Sequence, residues 1–156
     1  MSRLRKPGRT QRVWAAASSA VAAAIGSRGA RDAKAVYARL EKPRWAPPAW
    51  VFGPAWTLLY GLNAWAGERT ERTSQRVLHT AQLALNAAWT PTFFRAGHRR
   101  KSLALILALD ALVLAEISSL RRTSPAAAWA LVPYLAWLGY ATALTASVGD
   151  PRPEGR

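Results

Sequence analysis

Three side chains able to contact a ligand lie at helical spacing inside an otherwise apolar stretch. Gln82, Asn86 and Trp89 follow one another at positions i, i+4 and i+7, which places two amides and an indole on one face of a helix. In an apolar environment these groups must face protein or a cavity, because an unpaired amide is costly there. Hydrogen bonding between helices and contact with a ligand both fit this face, and the spacing favours neither.

Two carboxylates occur in a later apolar stretch, but they cannot form one acid–base pair. Asp110 and Glu116 are six positions apart, which separates them by about 240° around a helix. Each carboxylate therefore needs its own proton or its own partner. For Glu116 we expect either a polar partner inside the bundle or a side chain that extends toward Arg121 and Arg122.

Metal and catalytic chemistry find little support in the sequence. His79 and His98 lie about 29 Å apart if they share one helix, so they do not form a two-histidine site. We expect a surface or interface role for them rather than axial haem ligation. The chain has no cysteine, no G-x-S-x-G, no H-E-x-x-H and no phosphate-binding glycine loop. We therefore expect no metal site, no required cofactor and no catalytic residue, so that function depends on binding.

Aromatic side chains offer the best candidates for binding. Phe52, Trp56 and Tyr60 recur every four residues, which stacks them on one helix face. A belt of rings at the membrane surface is the alternative, but Phe52 and Tyr60 lie about 12 Å apart along a helix, which exceeds one depth. Together with Trp89 and Trp137, these rings predict a site for a large planar apolar molecule.

The positions of the charged residues show where the helices that carry these side chains begin and end. The chain of 156 residues has a net charge of +14, but its Lys and Arg residues flank apolar segments, and this distribution argues against a nucleic-acid surface. The apolar segments lie at about 13–27, 48–67, 78–96, 102–120 and 125–148. We therefore predict an all-α bundle of five transmembrane helices over 13–148, between a disordered basic tail at 1–12 and a C-terminal tail at 149–156.

Two segments have competing interpretations. The segment at 13–27 is mostly Ala and Ser, so it fits a helix packed inside the bundle or a secretory signal peptide. The polar connection at 27–46 carries apolar residues at helical spacing, which predicts a short amphipathic helix across the mouth of the bundle, with a solvated linker as the alternative. These apolar residues are Ala33, Val36, Tyr37 and Leu40.

Three motifs in order along the chain resemble one family. They are K-P-R-W-A-P-P-A-W-V-F-G-P-A-W-T-L-L-Y at 42–60, Q-L-A-L-N-A-A-W-T-P-T-F-F at 82–94 and V-P-Y-L-A-W at 132–137. These motifs resemble those of the tryptophan-rich sensory protein and translocator protein (TspO/MBR) family, also called peripheral benzodiazepine receptors. The resemblance implies a five-helix membrane bundle in which the loop after the first helix caps a ligand cavity.

The resemblance also implies a function. It suggests a receptor or sensor in a bacterial cell membrane that binds tetrapyrroles, namely protoporphyrin or haem, or related planar drugs, and influences porphyrin transport or metabolism. A homodimer is implied as well, with Ala84, Ala87 and Ala88 as small surfaces on the third span. The expected ligand-binding residues are Tyr37, Trp45, Trp50, Phe52, Trp56, Tyr60, Gln82, Asn86, Trp89, Asp110, Trp137 and Ala141.

Alternatives and departures from the family pattern remain. An enzyme that degrades protoporphyrin would use Trp45 and Trp137 as its candidate residues, and a structural membrane scaffold would need no ligand. Ala46 and Thr145 stand where the family often has Asn, which removes amides from the loop and from the last span. The chain also lacks the cholesterol-recognition consensus of animal members near its C-terminus, so we do not expect a sterol role.

Overall fold

The computed structural model describes residues 7–30, 33–94 and 98–148, and every regular element in these ranges is helical. The predicted all-α class is therefore confirmed. The elements are α1 (Arg9–Gly29), α2 (Ala33–Arg39), a 3₁₀ helix (Ala49–Val51), α3 (Phe52–Gly67), α4 (Thr73–Phe94), α5 (Arg99–Leu120) and α6 (Pro125–Ser147).

The five long helices pack side by side in a closed ring. Each helix contacts its two neighbours in the order α1, α3, α6, α5 and α4, and α4 returns to α1. Apolar side chains on the facing sides of α5 and α6 form the largest part of the core, and Leu109, Val113, Leu131 and Leu138 are buried there. The ring brings α3 and α6, which carry most of the predicted aromatic residues, directly against each other.

Three of the five long helices begin earlier than the apolar segments predicted. α1 begins at Arg9 rather than at 13, α4 at Thr73 rather than at 78, and α5 at Arg99 rather than at 102. Polar and basic residues precede each apolar block, and Arg, Lys and Gln are good helix formers, so the helix continues past the apolar part. α1 thus begins within the predicted tail at 1–12, and residues 1–6 and 149–156 lie outside the described residues.

Two helices, α5 and α6, are long and apolar enough to cross a membrane. The other three long helices, α1, α3 and α4, are too short or too polar to meet the same criterion. α3 has 16 residues, fewer than the roughly 20 that a bilayer core requires, and α4 buries several polar side chains. In α1, the Arg, Gln, Thr and Ser residues offset the hydropathy of the alanines. Five membrane spans therefore remain a prediction.

α1 packs against the bundle through a stripe of small residues. Ala15, Ser19 and Ala22 are buried, and Gly26 continues the stripe one turn later. A Cβ atom at Gly26 would lie 3.3 Å from the hydroxyl oxygen of Tyr60, so the absence of a side chain there permits the close approach of α1 to α3. The stripe explains how a segment rich in Ala and Ser packs as part of the bundle.

The three alanines proposed for a helix pair do not share one surface. Ala87 is buried and packs with Ala22 and Leu83 inside the bundle, so its expected role at a dimer surface is wrong. Ala84 and Ala88 are exposed. A homodimer through the outer face of α4 stays a prediction that involves these two residues alone.

Candidate functional site

Eight aromatic side chains form a continuous cluster between α3 and α6 that extends to α2. Each ring centroid lies between 5.2 and 6.4 Å from that of a neighbour, a distance typical of favourable aromatic pairs. The members of this aromatic cluster are Tyr37, Trp45, Phe52, Trp56, Tyr60, Tyr134, Trp137 and Tyr140. Six of the predicted site residues are thus brought together.

Trp137 connects the two halves of the aromatic cluster. Its ring meets Phe52 and Trp56 edge to face, with interplanar angles of 78° and 83°, and its centroid lies 5.8 Å from that of Tyr140. Phe52 and Trp56 reach Trp137 because their spacing of four residues keeps them on the same face of α3. The indole of Trp137 therefore has aromatic rings on several sides.

The loop after α2 is fastened to the aromatic cluster by backbone carbonyls. The Tyr37 hydroxyl donates to the carbonyl oxygen of Pro47 at 2.8 Å, and the Tyr140 hydroxyl donates to that of Trp45 at 3.3 Å. Burial, with a smaller contribution from Tyr140, raises the pKa of Tyr37, so this phenol stays protonated as a donor. Lys42 donates to the carbonyl oxygen of Tyr37. The loop is thus positioned over the rings of α3 and α6.

A chain of hydrogen bonds lies on the inner side of the aromatic cluster. Tyr60 donates from its hydroxyl to Asn86 Oδ1 at 2.6 Å, and Asn86 donates from Nδ2 to the Tyr134 hydroxyl oxygen at 3.0 Å. Asn86 and Tyr134 are 1% exposed, and the three residues come from α3, α4 and α6. Asn86 thus makes the hydrogen bonds between helices that were one of its two predicted roles.

Replacing Asn86 by leucine should lower the free energy of unfolding by about 2 kcal/mol, because the buried phenol of Tyr134 and the partly buried phenol of Tyr60 lose a partner at once. Thermal unfolding in detergent, monitored by circular dichroism, measures this loss. The matched control is Thr92→Val on the same helix, since the Thr92 side chain is half-buried and bonds only to the backbone of its own helix at Ala88. Equal stability of both variants would show that the Tyr60–Asn86–Tyr134 chain does not hold the helices together.

A second group of rings lies near the end of α4. The Trp89 and Phe93 rings stack with centroids 5.2 Å apart, and Phe94 meets both of them edge to face. Trp89 packs with Ile106 and Ala141, two buried residues of α5 and α6. Two further predicted residues, Trp89 and Ala141, are therefore neighbours. This second group adjoins the aromatic cluster, because Phe93 and Phe94 also pack in the hydrophobic cluster around Tyr37.

Three predicted site residues take no part in either group of rings. Trp50 is 74% exposed. Gln82 donates from Nε2 to Asn63 Oδ1 at 2.7 Å, and Asp110 accepts a hydrogen bond from the Thr142 hydroxyl at 2.7 Å. The two polar residues are thus partnered between helices, which was one of the roles expected for Gln82.

Several buried polar atoms near the rings have capacity left for a hydrogen bond. The indole nitrogens of Trp89 and Trp137 and the second carboxylate oxygen of Asp110 find no partner among the described residues. An unpaired buried N–H is costly and rare. The two indole nitrogens are therefore buried donors whose hydrogen-bonding capacity is unused among the described residues.

Two buried titratable side chains form a pair that the sequence did not reveal. His79 Nδ1 lies 2.7 Å from Glu116 Oε1, and both side chains are fully buried. The Trp14 ring packs on the imidazole at 5.6 Å between centroids, and Gly67 faces its other nitrogen. The expected surface role of His79 is wrong, whereas a polar partner for Glu116 was one of its two expected outcomes.

One sequence signal could have identified this pair: the two residues lie at similar numbers of residues from the connection between α4 and α5. His79 lies fifteen residues before the end of α4, and Glu116 lies seventeen residues after the start of α5. In neighbouring helices joined by a short connection, such positions come to nearly the same depth. No group of three potential metal ligands occurs among the described residues.

A groove of about 860 Å³ opens on the outside of the ring between α1 and α4, away from both groups of rings. We call it the α1–α4 groove. Its walls are Gly8, Thr10, Gln11, Trp14, Thr73, Arg76, Val77, Thr80, Ala81 and Ala84. None of the predicted ligand-binding residues lines this groove.

Comparison with known proteins places these features in a family context. The model of the TspO/MBR family matches residues 14–149. The human translocator protein is 40% identical over 117 residues, which cover 69% of this chain and 69% of the human protein. The tryptophan-rich sensory protein of Cereibacter sphaeroides is 37% identical over 127 residues, or 77% and 80% of the two chains. The tryptophan-rich protein TspO of Archaeoglobus fulgidus is 36% identical over 125 residues, or 76% and 81%.

Proposed function

Because this chain belongs to the TspO/MBR family of membrane proteins, we propose that it is a membrane receptor or sensor for tetrapyrroles such as protoporphyrin or haem. Binding would influence the transport or metabolism of porphyrins. In this proposal α1, α3, α4, α5 and α6 all cross the membrane, and the ligand lies inside the ring of helices. The tetrapyrrole is a ligand and not a resident cofactor.

The observation that carries this proposal is the convergence of eight rings from α2, its loop, α3 and α6 around Trp137. A porphyrin is flat, apolar on its faces and polar at its carboxylate edge. Aromatic side chains bind such faces by stacking, which is worth about 1–3 kcal/mol per ring, and the N–H of Trp137 is a donor without a partner among the described residues. Both features match the chemistry of the ligand.

The predicted residues then divide by role. Phe52, Trp56, Tyr60 and Trp137 are the flat walls, and Asn86 holds Tyr60 in place. Tyr37 and Trp45 belong to the cover formed by α2 and its loop, and Trp45 is 50% exposed. Trp89 and Ala141 form the neighbouring wall on α4 and α6, and Gln82 and Asp110 support it through hydrogen bonds between helices.

Ligand entry requires movement of the cover. The rings of the aromatic cluster contact one another, so a porphyrin must replace contacts between rings by contacts with its own faces. The loop at 40–48 is joined to α6 by a single hydrogen bond, from the Tyr140 hydroxyl to the Trp45 carbonyl oxygen, which is worth about 1 kcal/mol. Its hydrogen bonds to α2, through Tyr37 and Lys42, let the loop and α2 move together. Opening this loop is therefore the least costly route to the aromatic cluster.

Replacing Trp137 by phenylalanine should weaken protoporphyrin binding about tenfold, because the variant loses part of a stacking surface and the free N–H donor. The affinity is measured in the dark, by titrating protein in detergent with protoporphyrin and following the porphyrin absorbance. Trp129→Phe is the matched control, since Trp129 lies on the same helix and is 72% exposed. An unchanged dissociation constant for Trp137→Phe would remove this ring from the site.

A second candidate function is oxidative degradation of protoporphyrin by dioxygen under light. It is favoured by one observation, the ring path from Trp45 through Tyr140 to Trp137, with centroid distances of 5.6 and 5.8 Å. Illumination in air separates the candidates. Loss of porphyrin absorbance with a new product supports degradation, and quenching of tryptophan fluorescence without turnover supports the receptor. If neither effect is observed, the result supports a structural scaffold.

A further inference from the structure

We propose that Arg44 binds a carboxylate of the tetrapyrrole and orients the ligand so that its carboxylate edge lies at the cover. This inference rests on the proposed function and adds the chemical class that the site selects. That class is the porphyrins with free carboxylates, in preference to porphyrins whose carboxylates are esterified. Arg44 thus contributes specificity, whereas the aromatic rings contribute stacking.

Basic side chains surround the end of the aromatic cluster that lies under the cover. The start of α5 is at this end, because Arg99 donates to the carbonyl oxygen of Ala146 in the last turn of α6. Leu144, in the same turn, packs with Tyr37 of α2. Among the described residues of α2, the loop at 40–48 and the first turn of α5, the basic ones are Lys34, Arg39, Lys42, Arg44 and 99–101, and the acidic one is Glu41. This end therefore attracts an anionic group.

The inner side of the aromatic cluster has no such charge. Among the described residues no Lys or Arg is buried, and the buried carboxyl of Glu116 is bonded to His79. The polar groups next to the inner rings, the Asn86 amide and the Tyr134 hydroxyl, are neutral. A carboxylate placed there would be buried without a cation, which is unfavourable. The apolar edge of a porphyrin therefore points inward, and its carboxylate edge points toward the cover.

Arg44 lies at the tip of the loop, next to the rings. It forms with Trp45 the centre of a turn that is closed by a hydrogen bond from the Ala46 N–H to the Pro43 carbonyl oxygen at 3.0 Å. The Trp45 ring meets the Tyr140 ring edge to face with centroids 5.6 Å apart, and the Tyr140 hydroxyl donates to the Trp45 carbonyl oxygen. Since adjacent Cα atoms are about 3.8 Å apart, the turn holds Arg44 beside the outermost ring of the aromatic cluster.

The Arg44 side chain is available for a ligand, unlike two other basic side chains at this end. It is exposed, and no hydrogen bond, ion pair or ring contact involves it within residues 7–30, 33–94 and 98–148. Lys42 Nζ, by contrast, donates to the carbonyl oxygens of Tyr37 and Leu40 and lies 4.7 Å from the centre of the Tyr37 ring. Arg99 is bonded to α6. A guanidinium binds a carboxylate through two parallel N–H groups, so Arg44 suits the charged edge of the ligand.

The location of this ion pair determines how it should behave. A pair at the exposed edge of a site changes affinity only several-fold, and salt screens it. Stacking within the aromatic cluster depends on neither the charge of the ligand nor the salt concentration to the same degree. The contribution of Arg44 can therefore be separated from that of the rings by changing the charge of the ligand alone.

The test measures the affinity of the full chain in detergent for protoporphyrin and for its dimethyl ester, in the dark. The two ligands share one ring system and differ in the charge of one edge. Comparing each ligand between the unmodified chain and Arg44→Gln cancels the different solubility of the two ligands in detergent. We expect Arg44→Gln to weaken protoporphyrin binding about fivefold and to change ester binding less than about twofold. Arg44→Lys, which keeps the charge, should weaken protoporphyrin binding less than Arg44→Gln does.

Arg122→Gln is the matched control, because Arg122 is also exposed but lies at the α5–α6 turn, at the opposite end of the bundle. It should leave both affinities within about twofold of those of the unmodified chain. Raising the salt concentration from about 0.05 M to about 0.5 M should weaken the binding of protoporphyrin but not of the ester, and this salt effect should be smaller in Arg44→Gln.

The outcomes distinguish this inference from the function on which it rests. An unchanged affinity of Arg44→Gln for protoporphyrin, equal losses for the two ligands, or an equal effect of Arg122→Gln would each overturn the role of Arg44 while leaving the proposed function in place. If neither ligand binds to the unmodified chain, the proposed function fails and the inference fails with it.

Discussion

Replacing Glu116 by leucine should lower the free energy of unfolding by about 3 kcal/mol, and so should replacing His79 by leucine, because each change leaves one polar partner buried alone. The pair joins α4 to α5 at 2.7 Å in a region with no access to solvent. His79 Nε2 and Glu116 Oε2 already lack partners among the described residues. When one side chain of the pair is removed, the other therefore has no second hydrogen-bond partner among the described residues.

The double variant distinguishes pairing from packing. Two leucines of similar volume remove both polar groups, and such replacements are often close to neutral. We expect the double variant to lose at least about 2 kcal/mol less than the sum of the single variants. Denaturant or thermal unfolding in detergent provides all four values. Additive losses would show that His79 and Glu116 act independently.

Ser118→Ala is the control for the Glu116 variants. Ser118 lies on the same helix two residues away, is exposed and bonds only to the carbonyl oxygen of Leu114 on its own helix. A change on this exposed surface should alter stability by less than about 0.5 kcal/mol. A loss comparable to that of Glu116→Leu would mean that α5 tolerates no substitution in this region, whatever its partners.

Gly67→Ala should lower the free energy of unfolding by about 2–3 kcal/mol, because the added methyl group has no room. A Cβ atom at residue 67 would lie 2.6 Å from His79 Nε2 and 3.1 Å from two ring carbons. The imidazole cannot retreat cheaply, since Glu116 holds it on one side and the Trp14 ring packs against it. Thermal unfolding in detergent, followed by circular dichroism, measures the loss.

Gly61 provides the matched control on α3. A Cβ atom there meets nothing within 4 Å, so Gly61→Ala should be neutral or should stabilise the helix by up to about 1 kcal/mol. The cause of the Gly67 effect can be tested separately. In a His79→Ala background the clash disappears, and the added cost of Gly67→Ala should fall below about 1 kcal/mol. A cost that persists in that background would place the clash elsewhere.

The helical class and the sites of the long helices were predictable from the sequence because both depend on local pattern. Spacing of four residues placed Phe52, Trp56 and Tyr60 on one face of α3, and two of these rings contact Trp137 on α6. Helix starts were less predictable, since Arg9 and Arg99 extend their helices beyond the apolar blocks.

The partners of the polar residues were not predictable in the same way. The face that carries Gln82 and Asn86 was identified from spacing, but their bonds go to Asn63 on α3 and to Tyr60 and Tyr134 on α3 and α6. A hydrogen bond between helices depends on the rotation and depth of two elements, and periodicity within one element determines neither. Trp50 was expected in the site because of the family resemblance, and in the structure its side chain is 74% exposed.

The amino-acid sequence by itself determined the family, the all-helical class and the face on which each aromatic residue lies, since these follow from motifs and from a repeat of 3.6 residues per turn. The contacts between helices followed only from the order in which the helices pack in the closed ring. This order paired His79 with Glu116, buried Ala87 while leaving Ala84 and Ala88 outside, and opened the α1–α4 groove. Each of these features arises where two helices meet. The spacing within one helix determines neither which helix lies beside it nor how the two are rotated against each other.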